Sequence, residues 1–173
     1  MTTLSEAEAG IRQLHARYAD AAWRHDADSF ADCFAPDGVW RISGLDLRGR
    51  AAIRQAIAGI LARMERVLIT FRTPILEVGE GVASGRTYVD ERCKWKDGST
   101  NISIGLYYER FREIDGRWYF DWRLFQLLYR GPADLSGEYY HDLPDWGPPP
   151  AMPPLDEQAP NSSLARWGVE GKG

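Results

Sequence analysis

The sequence predicts an α+β fold, with N-terminal helices packed on a mostly antiparallel, strongly bent sheet. Apolar residues recur every three or four positions up to about residue 65 and alternate afterwards, a change from the helical to the strand period. Two dipeptides, Asp97-Gly98 and Asp115-Gly116, separate long β-rich runs, and Asp-Gly in that setting is a hairpin signal. Helices followed by a meander of hairpins point to α+β and not to a doubly wound sheet.

Each element has a local reason. Ser5-x-x-Glu8 reads as a capping box opening the first helix, with Leu4 and Ala9 placed as a hydrophobic staple. Ile11, Leu14, Tyr18 and Ala22 then give that helix one inward stripe. Asp26 can cap a short second helix through Phe30, Cys33 and Phe34, ended by Pro36-Asp37-Gly38. Val39–Ser43 reads as a strand. A glycine-bearing loop leads to a third helix, roughly residues 50–64, with Ile53, Ile57, Ile60 and Leu61 inward. Residues 66–79 read as a strand in which Pro74 marks an edge or bulge. Three further strands follow over residues 82–96, 101–114 and 117–130, and their length implies a bent sheet closing as a cone. Beyond Gly131 the composition shifts: eight of the ten prolines lie in Pro132–Pro160, with few aliphatic residues. The division expected is a body over 1–131 and a Pro-rich tail over 132–173, partly docked through Tyr139, Tyr140, His141 and Trp146.

Composition excludes several classes. Hydrophobic residues make up 44% and charged residues 27% of the chain, as in ordinary globular proteins. Net charge is −4 with the basic residues scattered, so no nucleic-acid patch is expected. No apolar run is long enough to span a bilayer, and the N-terminus lacks the pattern of a signal peptide, so a cytoplasmic location is expected. Cys33 and Cys93 have neither metal nor redox spacing, and no phosphate loop or nucleophile motif is present, so neither a metal nor a cofactor is expected. Seven Trp, eight Tyr and six Phe suit either a large core with an oligomer interface or an aromatic-lined pocket for flat hydrophobic ligands.

The first third carries a resemblance. Tyr18, Asp26-x-Asp28, Phe34-Ala35-Pro36-Asp37-Gly38, the strand Val39–Ser43 and Gly49-Arg50-Ala51-Ala52-Ile53 occur in the order found at the start of the nuclear transport factor 2-like superfamily. Its SnoaL-like polyketide cyclases, ketosteroid isomerase, scytalone dehydratase and limonene epoxide hydrolase share a cystatin-like cone enclosing one apolar pocket. Arg17-Tyr18 followed by Asp26 and Asp28 is similar to the isomerase pattern, which places the oxyanion-hole tyrosine at Tyr18. The isomerase's base falls at Ile42 and its second oxyanion donor at Tyr108, so its usual base is missing. The dehydratase-like histidine and aspartate fall near Ile69–Thr70 and at Trp23, where neither residue type is present. A cavity arginine of the dehydrochlorinase relatives aligns with Arg123.

The candidate catalytic residues are therefore Tyr18, Tyr108, Asp121, Arg123 and His15, with Ala22, Trp23, Trp40, Ile42, Leu106 and Phe125 expected against the substrate. A buried Tyr18 phenol is either an oxyanion donor or a core tyrosine bonded to backbone. On the last strand, Trp118, Phe120, Trp122 and Leu124 alternate with Tyr119, Asp121, Arg123 and Phe125. That pattern pairs Asp121 as base with Arg123 as anchor and assigns the tryptophan face to an interface, hence a homodimer or homotrimer. His15 and His141 are alternative bases. Of Asp90 and Glu91, alternation lets one point inward. The function expected is a cofactor-independent lyase or isomerase (dehydration, isomerisation or retro-aldol-type cleavage) acting on a hydrophobic, aromatic or polycyclic, oxygenated small molecule. The other reading is a non-catalytic binding protein, or an assembly subunit resembling the β-subunits of ring-hydroxylating dioxygenases.

Overall fold

The computed structural model describes residues 2–140 and 146–155. Helix α1 (Leu4–Trp23) is opened by Thr3 and Glu6, two residues ahead of the expected Ser5–Glu8 box. Thr3 Oγ1 accepts from the Glu6 amide, and the Glu6 carboxylate accepts from the Thr3 amide at 2.9 Å. Leu4 thus becomes the first helical residue and stays 56% exposed rather than serving as a staple. Ala7, Ile11, Leu14, His15, Tyr18, Ala21 and Ala22 form the buried stripe.

Asp26 caps α2 (Ala27–Ala31) by accepting from the Ser29 amide. The helix ends earlier than expected because Phe34 already belongs to strand β1 (Phe34–Ile42). Sheet pairing with a distant strand outcompetes one more helical turn there. The expected loop after β1 contains strand β2 (Leu45–Arg48), joined through Ser43-Gly44. Both turn residues have positive φ (54° and 81°), the turn geometry that matches strand twist and favours glycine. Helix α3 (Gly49–Leu61) follows, shorter than the expected span. The strand expected over 66–79 is two strands, β3 (Met64–Phe71) and β4 (Ile75–Val78), parted at Pro74, which has no amide to donate. Strands β5 (Val82–Trp95), β6 (Thr100–Ile114) and β7 (Arg117–Gly131) match the three expected, and β8 (Glu138–Tyr139) lies within the Pro-rich segment.

The sheet runs β2-β1-β7-β6-β5-β3, with β4 also on β5 and β8 on β7. Only β1 and β7 pair in parallel; the other pairs among the described residues are antiparallel. The fold is the expected α+β cone, with the helices inside the curve of the sheet.

Two bulges in β7 decide what faces the core. Phe111 pairs Phe120 while Arg110 pairs Trp122, which leaves Asp121 as an extra residue. Gly105 pairs Leu127 while Ile104 pairs Tyr129, which leaves Leu128 extra. Each bulge reverses the alternation downstream. Trp118 and Phe120 therefore point into the core, whereas Trp122 and Leu124 lie on the outer face. That face is covered from within the chain. Trp122, Leu124, Leu106 and Tyr108 pack with Trp146 and Met152, and Arg110 donates to the Pro153 carbonyl at 2.7 Å. Trp118, Phe120 and Trp122 are 4%, 0% and 3% exposed, so the premise that they need an oligomer interface falls. His141 lies outside the described residues. Among the described residues no helix is long and apolar enough to cross a membrane.

Candidate active site

Directly opposed residues on neighbouring strands point to the same face. One inner row is Ile69–Glu91–Ser103–Arg130, across β3, β5, β6 and β7. A second is Thr87–Tyr107–Phe125, and a third is Glu109–Arg123–Trp40. The inner stripe of α1 lowers His15 and Tyr18 onto these rows. Gly105 sits between the first two, where a Cβ would lie 2.2 Å from Phe125 Cε2, so its missing side chain makes room for that ring.

The third row is the floor of the site, and its carboxylate is engaged on several sides. Glu109 is wholly buried, 2.7 Å from Arg123 Nη2, and accepts from His15 Nε2 at 3.0 Å and from Thr87 Oγ1 at 2.6 Å. Burial by itself would raise its pKa, but His15, Arg123 and these donors outweigh burial and hold it below the ordinary carboxylate value. Arg123 is also wholly buried and lies over the rings of Tyr107, Phe120 and Tyr18, at 3.6, 3.9 and 4.5 Å. His15 stacks on Phe71 at 4.5 Å. With its oxygens committed, Glu109 is poorly placed to take a proton from a substrate.

Above this floor is a cavity of about 250 Å³. Its walls are mostly apolar, including Ala22, Phe30, Trp40, Ile42, Ile57, Val67 and Phe125. Five polar side chains of the sheet and α1 line it: Tyr18, Tyr107, Glu91, Ser103 and Arg130. The phenol oxygens of Tyr18 and Tyr107 are 3.2 Å apart, so one donates to the other and the second proton is left for a ligand. Burial pushes both phenols well above their ordinary pKa, which keeps them as donors. Glu91 makes no hydrogen bond or ion pair among the described residues. Burial raises its carboxyl from 4.5 to about 7, against the pull of Arg123 and Arg130. A carboxyl titrating near neutrality beside two donors is suited to general acid–base chemistry.

These placements correct several expectations. Asp121 is the bulge residue, 41% exposed in its side chain and paired with Arg112 at 2.9 Å outside the cone. Tyr108 and Leu106 belong to the outer cluster, and the inward neighbour is Tyr107. Trp23 is 49% exposed and lines an open surface groove with Leu68 and Ile102. His15 and Arg123 lie beneath the cavity rather than lining it. Tyr18, Ala22, Trp40, Ile42 and Phe125 do line it. Glu91 was legible as one of two carboxylates; Val89 and Cys93, apolar and two residues to either side, mark its face as the buried one, whereas Asp90 pairs with the exposed Arg72. Among the described residues, no group of three or more His, Cys, Asp or Glu could hold a metal ion.

The chain matches the SnoaL-like domain over residues 3–123. No curated protein matches it significantly. Among solved structures, it resembles a proposed scytalone dehydratase from Novosphingobium aromaticivorans at 18% identity and TM-score 0.68, covering 78% of this chain and 92% of that one. A proposed aromatic ring hydroxylase from the same organism is 27% identical with TM-score 0.69, covering 79% and 96%. A hexachlorocyclohexane dehydrochlorinase from Novosphingobium barchaimii is 17% identical with TM-score 0.66, covering 78% and 93%. With the domain match spanning 121 of the 173 residues, the chain belongs to the SnoaL-like domain family.

Proposed function

We propose that the chain is a lyase or isomerase that works by general acid–base chemistry without a cofactor on a small hydrophobic, oxygenated substrate. The observation that carries this reading is Glu91, a carboxyl near neutral pKa in an apolar cavity that also holds the Tyr18–Tyr107 phenol pair. Ionised Glu91 takes a proton from the carbon next to a substrate carbonyl. The C–H electron pair moves into an enolate, and the phenol pair donates to the oxygen that gains the charge. Expulsion of a β-leaving group completes an elimination; return of the proton from Glu91 to another carbon completes an isomerisation. The dehydratase and dehydrochlorinase likenesses, whose names denote eliminations, support this class. The cavity is smaller than the roughly 300–1,000 Å³ of drug-sized sites, which favours one- or two-ring substrates over larger polycycles.

The test is proton transfer itself. Solvent-deuterium exchange at the α-carbon of β-tetralone, a neutral two-ring ketone, is followed by NMR. The wild type should catalyse exchange with a rate rising through pH 7, and Glu91→Gln should abolish it. Exchange that survives in Glu91→Gln refutes the assignment of the base. The non-catalytic subunit reading draws on the likeness to the proposed ring hydroxylase. It expects ligand binding without exchange in any variant.

A further inference from the structure

A second concavity lies between α1 and the end of β3. On α1, Arg12, His15, Ala16 and Ala19 recur at three- and four-residue spacing and share one side of the helix. The two alanines stop at Cβ, which leaves a furrow against Ile69, Phe71 and Thr73. The groove measures about 310 Å³, at the lower end of the roughly 300–1,000 Å³ of ligand sites. Phe71 stacks on His15 at 4.5 Å and meets Tyr18 and Tyr107 at 5.8 and 6.1 Å, so its ring stands between the groove and the phenol pair.

His15 closes the base of the groove and is 3% exposed. Its Nε2 lies 3.0 and 3.1 Å from the two oxygens of Glu109. Glu109 is held ionised and can only accept, so Nε2 carries the proton. In the neutral ring Nδ1 is then a bare acceptor. It has no hydrogen-bond partner among the described residues, and it opens onto the groove. Arg12 and Arg72 stand at the rim, but each already has a carboxylate: Arg12 is 3.8 Å from Glu8, and Arg72 donates to Asp90 at 2.7 Å. The rim is electrically balanced.

We propose that this groove is a second ligand site, separate from the cavity, for a small neutral apolar molecule with a hydroxyl group, whose O–H donates to His15 Nδ1. Each part of the class follows from the groove. A bare, buried acceptor is satisfied only by a donor, and leaving it unmade is the costly alternative. An ionised carboxylate has no proton to offer it, and rim arginines that already hold carboxylates give an anion no compensating gain. Ile69, Phe71, Ala16 and Ala19 supply apolar walls for the body of the ligand. Glu109 fixes the ring from behind, so the acceptor is already aimed before the ligand arrives.

The test reads His15 directly, by two-bond proton–nitrogen NMR correlation of the 15N-labelled protein at pH 8. The His15 signals are identified by their loss in His15→Gln. They should show a neutral ring protonated at Nε2, and p-cresol should move the Nδ1 resonance saturably. Toluene, the same ring without the hydroxyl, should leave it in place. Ala16 is exposed, so Ala16→Met and Ala16→Trp fill the furrow without entering the core, and each should weaken the p-cresol response by about tenfold or more. Glu91→Gln should leave the response unchanged, since the cavity is not involved. A His15 ring protonated at Nδ1, or an Nδ1 resonance that p-cresol does not move up to its solubility, overturns the proposal. So does a response that toluene reproduces, that both Ala16 variants retain, or that Glu91→Gln removes. None of these outcomes bears on tetralone exchange, so this site and the cavity reading fail separately.

Discussion

Replacing Glu91 by glutamine should stabilise the protein above neutral pH and leave it nearly unchanged in mild acid. Glu91 titrates at about 7 in the fold against 4.5 ordinarily, because burial disfavours its charged form. Below pH 4.5 the carboxyl is protonated in both the folded and unfolded chain, and ionisation costs nothing. Between 4.5 and 7 the unfolded chain has released the proton and the folded chain has kept it, so folding stability falls by about 1.4 kcal/mol per pH unit. Above 7 the loss levels off, and a shift from 4.5 to 7 totals about 3 kcal/mol. Glutamine is a neutral isostere without this penalty. Urea unfolding of the two, monitored by tryptophan fluorescence from pH 5 to pH 8.5, should show a difference that opens with pH toward that value. In thermal melts it corresponds to roughly 6–12 °C at pH 8 for a chain of this size. A difference that stays flat across the range, or a variant less stable at pH 8, refutes the reasoning that Glu91 is desolvated.

Tyr107→Phe and Tyr18→Phe should each slow tetralone exchange by roughly 10²–10³-fold, whereas Tyr108→Phe, on the outer face, should not; equal effects at 107 and 108 would contradict the assigned register. Asp121→Asn removes an exposed partner of Arg112 and should alter stability by no more than about 0.5 kcal/mol in urea titrations, with exchange unaffected. Glu109→Ala leaves Arg123 buried without its carboxylate and should cost about 3–5 kcal/mol by the same titration; a loss below 1 kcal/mol would show that the buried pair is not formed.

Local chemistry was sufficient for most of the architecture. The change of hydrophobic period near residue 65, the two Asp-Gly turns and the Pro-rich segment are properties of neighbouring residues, and the helices and the three long strands follow from them. The inner stripe of α1 was legible for the same reason, which is why Tyr18 and Ala22 could be placed against the cavity. One error was a local choice, and the others lie where a distant strand decides. Capping by Thr3 rather than Ser5 turned on which of two overlapping boxes the chain closes. Phe34 left the helix because β7 offered it a partner. The largest error came from the bulge at Asp121. On β7 both faces are aromatic, so alternation alone gives no sign of where it reverses, and one extra residue moved Asp121 outside and put Trp118 and Phe120 in the core. The same one-residue ambiguity exchanged Tyr107 for Tyr108. Glu91 is the remaining lesson: the sequence placed a carboxylate pair on β5, but its near-neutral pKa comes from burial among cavity walls that only the folded sheet assembles, and that burial outweighs the opposing pull of Arg123 and Arg130.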